Sequence, residues 1–144
     1  MIDFDRILQR LNFMTIRLNR LKKFESLPLE SYLDELDNQL IAERILELIT
    51  QAAIDINNHI IKKNLNLEEV TGKESFLVLK NHNILSGKLA EELSKSSNFR
   101  NLLAHEYLDI NDHQVFEIIP KALKQFSLYI LEIKKYIDSF DNLK

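Results

Sequence analysis

The sequence of 144 residues contains no cysteine and only two glycines and two prolines. Without cysteine the chain has no disulfide, no thiolate nucleophile and no Cys-ligated zinc site, and a reducing cytoplasm is the expected location. Sheet proteins need many tight turns whereas long helices need few, so the scarcity of glycine and proline favours an all-helical fold.

The chain also lacks the features of membrane and secreted proteins. Its first residues, Met-Ile-Asp-Phe-Asp, are acidic where a signal peptide is basic. No apolar run approaches the roughly 18 residues of a membrane span, so no membrane association is expected. The net charge of -3 gives no overall attraction to nucleic acid, and any such binding would depend on local basic patches.

Several common catalytic patterns are missing from the sequence. The four histidines form no His-Glu-x-x-His zinc motif, and neither a glycine-rich phosphate loop nor a Gly-x-Ser-x-Gly turn is present. We therefore expect no metal and no cofactor in this chain. Zinc, ATP-binding and serine-hydrolase functions lose their usual sequence support.

Apolar residues recur at helical spacing along the chain and predict one domain over residues 1–144. The expected architecture is an up-and-down bundle of four main helices and one short helix. The predicted helices cover residues 3–24, 31–64, 73–80, 86–107 and 111–140.

Three details of this prediction concern helix ends. Ser31 resembles an N-cap with Asp34 three residues later, and a break near Asp37-Asn38 would divide the long second helix. Asn111-Asp112 is expected to cap the last helix. Pro120 lies inside that helix and predicts either a kink or a later start.

The residues best suited to chemistry lie in the run Arg100-Asn-Leu-Leu-Ala-His105-Glu-Tyr107. Histidine moves protons near neutral pH, and arginine binds phosphate and the charge that builds on it. Together they can cleave RNA without a metal, because the ribose 2′-hydroxyl supplies the nucleophile. DNA lacks this hydroxyl and would be spared.

Helix geometry places a condition on this site. At 100° per residue Arg100 and Tyr107 lie about 20° apart, whereas Arg100 and His105 lie about 140° apart. A joint site requires the helix to end or distort near Ala104-His105, or two copies of the motif to meet across a symmetric dimer. We expect both.

The motif Arg100-x4-His105-x-Tyr107 resembles the Arg-x4-6-His motif of HEPN domains in the form found in HepT-like toxins. The segment from Glu43-Arg44 through Asp55 to His59-Ile-Ile61 is similar to the long second helix of that family. The likeness extends over about residues 3–140.

This resemblance implies a homodimeric, metal-independent ribonuclease that is the toxin of a toxin–antitoxin pair and cleaves tRNA or mRNA. It also implies an antitoxin partner of the MntA type, a minimal nucleotidyltransferase that uses ATP to transfer AMP to the motif tyrosine. Carried over residue by residue, it makes Arg100 and His105 catalytic and Tyr107 the modified residue. Asn101 would support the site, and Asp55 would orient Arg100.

Four of the six arginines follow one narrow stripe of the first helix. Arg6, Arg10, Arg17 and Arg20 lie within about 80° of one another around its axis. As a hypothesis, the stripe contacts the RNA backbone or an acidic surface of the antitoxin. The structural alternative is a solvated face, or salt bridges to the acidic second helix.

Plainer interpretations stand beside the enzymatic one. Arg100 and His105 would only hold phosphate in a non-catalytic RNA- or nucleotide-binding partner of a nucleotidyltransferase, and they would have no role in a purely structural bundle. Asp55 and His59, four residues apart, suit a surface pair on a helix. His82 and His113 are expected to be polar loop residues without a catalytic role.

Overall fold

The computed structural model describes the backbone of residues 2–105 and 111–141 and the side chains of residues 2–97 and 111–140. These residues contain six helices and no strand, which confirms the all-helical prediction. Four helices are long and two are short, so the expectation of one short helix is wrong. The helices are α1 (Phe4–Lys22), α2 (Leu29–Asp34), α3 (Leu36–Lys63), α4 (Gly72–Asn81), α5 (Gly87–His105) and α6 (Asp112–Asp141).

The break before the long helix lies earlier than expected. Glu35 has extended backbone angles and separates α2 from α3, so the division is at Glu35 and not at Asp37-Asn38. The amide Nε2 of Gln39 donates to the Leu33 carbonyl at 2.8 Å and to the Tyr32 carbonyl at 3.4 Å. These bonds satisfy the C-terminal carbonyls of α2, which is why the chain can turn at this point.

Pro28, not Ser31, holds the N-cap position of α2, and Ser31 lies inside that helix. The Ser31 prediction is therefore wrong, because Pro28 already sets the backbone angles from which the helix starts. The predicted cap of α6 is confirmed, since Asn111 Oδ1 accepts from the Gln114 N–H at 3.1 Å. α6 begins at Asp112 and contains Pro120, so the later start is wrong.

α3 is the centre of the bundle and packs against each of the five other helices. α1 covers one side of it with the five apolar residues that the periodicity picks out, all buried. Burying each such side chain contributes about 1.5–3 kcal/mol, so the position of α1 on α3 is well determined. α4 packs on both α3 and α5, and bonds from Lys80 to Glu91 and from Ser94 to the Lys73 carbonyl join it to α5. The buried residues of α1 are Ile7, Leu11, Met14, Leu18 and Leu21.

Candidate functional site

The motif begins in the C-terminal part of α5. Arg100, Asn101 and His105 belong to the helix, but their side chains lie outside the described residues, and Tyr107 lies outside them entirely. α5 is helical through His105. The backbone of one chain therefore sets Arg100 and His105 about 140° apart around the axis and about 7.5 Å apart along it.

Asp55, the residue expected to orient Arg100, is exposed on α3 close to α5. Its Oδ1 accepts a hydrogen bond from Gln51 Nε2 at 2.9 Å. Asp55 and Ser97 of α5 line the same surface hollow of about 430 Å³. Ser97 precedes Arg100 by three residues, which is one turn on the same side of the helix. The structure therefore brings Asp55 near the motif helix, while its contact with Arg100 stays a prediction.

The wall of this hollow is held by a pair of hydrogen bonds that the sequence did not reveal. Asn58 Nδ2 donates to the Val70 carbonyl at 3.2 Å, and Asn58 Oδ1 accepts from the Val70 N–H at 3.1 Å. These bonds fix the loop between α3 and α4 against α3. Gly72 then begins α4 so close to α3 that a Cβ atom there would lie 2.6 Å from Ile54 Cδ1. A larger residue at this position would require the Ile54 side chain to move.

His59 has a different partner from the one expected. Its Nε2 accepts a hydrogen bond from the backbone N–H of Asp3 at 2.9 Å, whereas Asp55 is bonded to Gln51. Burial lowers the pKa of the His59 imidazole, and the neighbouring Arg6 guanidinium lowers it further. His59 therefore joins the N-terminus of α1 to the end of α3 as a neutral acceptor.

The other two histidines occupy plain surface positions. His82 is exposed at the C-terminal end of α4, where its Nδ1 lies 3.0 Å from the Val78 carbonyl oxygen. His113 is exposed in the first turn of α6. Neither position suggests a catalytic role.

The arginine stripe of α1 has two ends with different surroundings. Arg6 is exposed and borders a hollow with Lys62 and Lys63 of α3. At the other end, Arg17 and Arg20 border a hollow of about 510 Å³ whose floor is aliphatic. The ion pairs within the described residues are Arg44–Glu47 and Lys80–Glu91, so none joins the stripe to the acidic second helix there.

At the aliphatic end of the stripe, Arg17 and Arg20 lie beside apolar side chains. The Arg17 guanidinium lies 3.7 Å from the centre of the Phe13 ring, a cation–π contact. Ile16 and Leu40 beside it are 54% and 53% exposed, although both are large apolar residues. The hollow itself has no aromatic side chain in its lining, and Arg17 covers the nearby Phe13 ring, so this end suits a protein surface better than stacked RNA bases.

A cluster that the sequence analysis missed lies where α2, α3 and α6 meet. The pKa of the Glu43 carboxyl is raised to about 7. Burial is the largest cause, and a hydrogen bond to Asp112 and repulsion from its charge add to it. The buried Tyr32 hydroxyl has no hydrogen-bond partner among the described residues. Burial, Glu43 and Asp112 together raise its pKa. Asp112 follows Tyr107 by five residues, so this cluster adjoins the motif segment in the chain.

Two kinds of feature are absent from the part of the chain that the structure describes. No group of three or more histidine, aspartate or glutamate side chains there is arranged to hold a metal ion. None of the helices in that part of the chain has the length and apolar character needed to cross a membrane.

Comparison with known protein families identifies the family to which this chain belongs. A family described as "Ribonuclease HepT-like" matches residues 14–133. The chain belongs to the HepT-like ribonuclease family. This membership confirms the resemblance drawn from the motif and its class of enzyme, a ribonuclease.

Two HepT proteins are similar in sequence. A protein named tRNA nuclease HepT from Aphanizomenon flos-aquae is 46% identical over 128 residues, which cover 89% of this chain and 87% of the relative. A protein named mRNA nuclease HepT from Shewanella oneidensis is 29% identical over 89 residues, which cover 62% of this chain and 67% of the relative.

Solved structures share the fold at lower identity. A tri-AMPylated HEPN toxin of Shewanella oneidensis in complex with an MNT antitoxin matches with a TM-score of 0.83 at 23% identity, over 91% of this chain and 98% of that one. The cytosolic protein YutE of Bacillus subtilis, of unknown function, matches with a TM-score of 0.83 at 18% identity, over 96% and 92% of the two chains. These likenesses confirm a HEPN-type helical fold.

Proposed function

We propose that this HepT-like ribonuclease is a metal-independent endoribonuclease of the cytoplasm and the toxin of a toxin–antitoxin pair. The observation that carries the proposal is the motif Arg100-x4-His105-x-Tyr107, on a helix that continues through His105, in a chain of this family. The names of both HepT relatives support cleavage of RNA. The more similar of the two is a tRNA nuclease, which favours tRNA over mRNA.

In the proposed reaction His105 takes the proton of a ribose 2′-hydroxyl, and the 2′-oxygen attacks the adjacent phosphorus. The Arg100 guanidinium stabilises the charged phosphorane. The bond from phosphorus to the 5′-oxygen then breaks, and the leaving oxygen takes a proton from a second acid. The products are a 2′,3′-cyclic phosphate and a 5′-hydroxyl. Asn101 and Asp55 would support the orientation of Arg100.

A homodimer belongs to the same proposal. Because the α5 backbone separates Arg100 from His105 by about 140°, two facing copies would bring the arginine of one motif near the histidine of the other. The second copy's histidine would also supply the acid for the leaving oxygen. Light scattering should give twice the chain mass of 17.0 kDa, and a monomer that cleaves RNA would contradict this part.

The test of catalysis is cleavage of tRNA by the purified protein in the presence of a chelator. We expect cleavage with 2′,3′-cyclic phosphate ends, lowered at least 100-fold in His105→Ala by loss of the general base. His82→Ala is the matched control, because His82 is exposed at the end of α4. RNA that is bound but never cleaved by the unmodified protein would instead favour the non-catalytic binding partner.

We also propose that this ribonuclease is inactivated when an MntA-type nucleotidyltransferase transfers AMP to Tyr107. The nucleotidyltransferase uses the ATP, so this chain needs no cofactor. The added group would place bulk and negative charge beside an RNA-binding site. Support comes from the AMPylated HEPN toxin among the structural neighbours. Intact mass after co-expression should show AMP-sized additions that are absent from Tyr107→Phe and retained in Tyr136→Phe. Additions that persist in Tyr107→Phe would assign the modification elsewhere.

A further inference from the structure

Cations from three helices surround Asp55. Three surface hollows have Asp55 in their walls, and each brings in basic residues from a different direction. The cations are Arg6 and Arg10 of α1, Lys62 and Lys63 in the last turn of α3, and Lys73 in the first turn of α4. We call these five residues the basic surface.

The basic surface is opposite in sign to the chain as a whole. Its five cations face two carboxylates that line the same hollows, Asp55 and Glu69, which leaves a local excess of three positive charges. The complete chain carries a net charge of -3. A positive field at this place draws a polyanion to one part of an acidic molecule.

These charges are available to a ligand. Arg6, Lys62, Lys63 and Lys73 are exposed, and none of them forms an ion pair with another residue of the described part of the chain. His59 lies between them. After burial, Arg6 lowers the pKa of its imidazole most, Asp3 raises it, and Lys63 and Arg10 lower it further.

The shape of the basic surface suits a chain of phosphates and not a small anion. The hollow that contains three of the cations, Arg6, Lys62 and Lys63, holds only about 120 Å³, which is well below the roughly 300 Å³ of a small-molecule pocket. The two larger hollows, of about 350 and 430 Å³, contain one cation each, Arg10 and Lys73. The cations are spread along the junction of three helices and do not converge on one point. Such a row of solvated cations is how proteins follow a nucleic-acid backbone.

The basic surface also leads to the motif helix. The hollow that contains Lys73 and Asp55 is bordered by Ser97, one helical turn before Arg100. We propose that the basic surface binds the phosphate backbone of the RNA substrate and delivers the strand to the motif at the end of α5. This inference deepens the proposed ribonuclease function and rests on it.

The experiment compares two triple variants, each with three cations replaced by glutamine. The test variant is Arg6→Gln, Lys62→Gln and Lys63→Gln, in which the backbone N–H of Arg6 still donates to the Asp3 cap. The control variant is Lys22→Gln, Lys121→Gln and Lys124→Gln, which removes equal charge from exposed positions at the end of α1 and along α6. Both should keep the melting temperature of the unmodified protein within a few degrees.

The probe is a fluorescent tRNA fragment with 2′-O-methyl riboses, which no 2′-hydroxyl attack can cleave. Binding is measured by anisotropy at several salt concentrations. Loss of three phosphate contacts should weaken binding at least tenfold at low salt. It should also make the negative slope of the log association constant against log salt shallower by about 2 for single-stranded RNA. The control variant should bind like the unmodified protein.

The outcomes separate this inference from the proposed function. Equal binding by the test variant and the control would overturn the inference, even if tRNA cleavage is intact. No binding by the unmodified protein would overturn it as well. Selective loss of binding in the test variant would support it even if the unmodified protein never cleaves RNA, a result that would refute only the nuclease proposal.

Discussion

Tyr129 and Tyr32 are both fully buried, yet their hydroxyl groups have opposite surroundings. The Tyr129 hydroxyl donates to the Ala53 carbonyl at 3.1 Å or to Asn57 Oδ1 at 2.6 Å. Asn57 in turn donates to Ser75 Oγ at 3.0 Å, so the network joins α3, α4 and α6. The Tyr32 hydroxyl has no partner among the described residues and lies near Glu43 and Asp112.

The difference separates a region of the bundle whose polar groups are paired from a region that contains a titratable carboxyl group. Around Tyr129 every named polar group has a partner, so the network specifies one packing of the three helices. Around Tyr32 the pKa of a carboxyl group is raised to about 7, beside a hydroxyl that has no partner among the described residues. Unsatisfied and titratable groups are more usual near functional sites than in a structural core. This cluster adjoins the segment that carries Tyr107.

The largest effect should come from Asn57→Ala in the satisfied network. Asn57 is fully buried, and its loss removes the bonds that join Tyr129 to Ser75, so that these hydroxyls keep only the Ala53 and Gly72 carbonyls as partners. We expect unfolding free energy to fall by about 2–3 kcal/mol, measured by urea unfolding. Asn19→Ala, on the exposed face of α1, should change it by less than about 0.5 kcal/mol. Equal effects would show that the network adds no stability.

Tyr129→Phe should have the next largest effect. It keeps the ring and its packing against Phe76, at a centroid distance of 6.1 Å, and removes only the hydroxyl. Asn57 then lacks one partner, so the free energy of unfolding should fall by about 1.5 kcal/mol in the same urea experiment. A neutral result would assign the stability of this region to packing alone.

Glu43→Gln should change how stability depends on pH. The folded chain raises the Glu43 pKa from 4.5 to about 7, so between these values it binds more protons than the unfolded chain. Stability of the unmodified protein should therefore fall as the pH rises through this window, by about 1 kcal/mol because water screens a partly exposed group. The variant should lose this dependence, whereas Glu117→Gln should retain it. An unchanged slope in Glu43→Gln would assign the titration to another group.

The smallest effect is expected for Tyr32→Phe, the counterpart of Tyr129→Phe. Removing a hydroxyl that has no partner in the described part of the chain should leave the free energy of unfolding within about 0.5 kcal/mol of the unmodified value, or raise it slightly. The contrast with Tyr129→Phe is the direct test of the comparison. A loss above about 1 kcal/mol would mean that a group in the motif segment bonds to Tyr32.

Much of the fold was predictable because it depends on local features. The five apolar residues of α1 and the cap at Asn111 follow from periodicity and capping chemistry alone. The wrong details lie where two local signals compete and a side chain of the next turn decides between them. The break at Glu35 depends on Gln39, four residues later, which bonds back to the carbonyls of α2.

The candidate site divides in the same way. Arg100, His105 and Tyr107 were found from their types and spacing, and membership of the HepT-like family confirms the motif's class of enzyme. Their catalytic and modification roles stay predictions. Asn58, which shapes the hollow beside Asp55, gave no signal in the sequence, because a buried asparagine in a long helix resembles any polar surface residue.

The sequence by itself determined that the chain is helical, that it carries the motif of a HepT-like ribonuclease, and that four arginines share one face of α1. Only the tertiary structure decided that this face has a basic end near Asp55 and an aliphatic end near Leu40. It also decided that Tyr129 is satisfied and that Tyr32 lacks a partner among the described residues. The physical reason is the distance along the chain between the residues that determine each feature. Helical periodicity is set by neighbours within four residues, whereas the surroundings of a charge or a buried hydroxyl are set by helices that are distant in the chain.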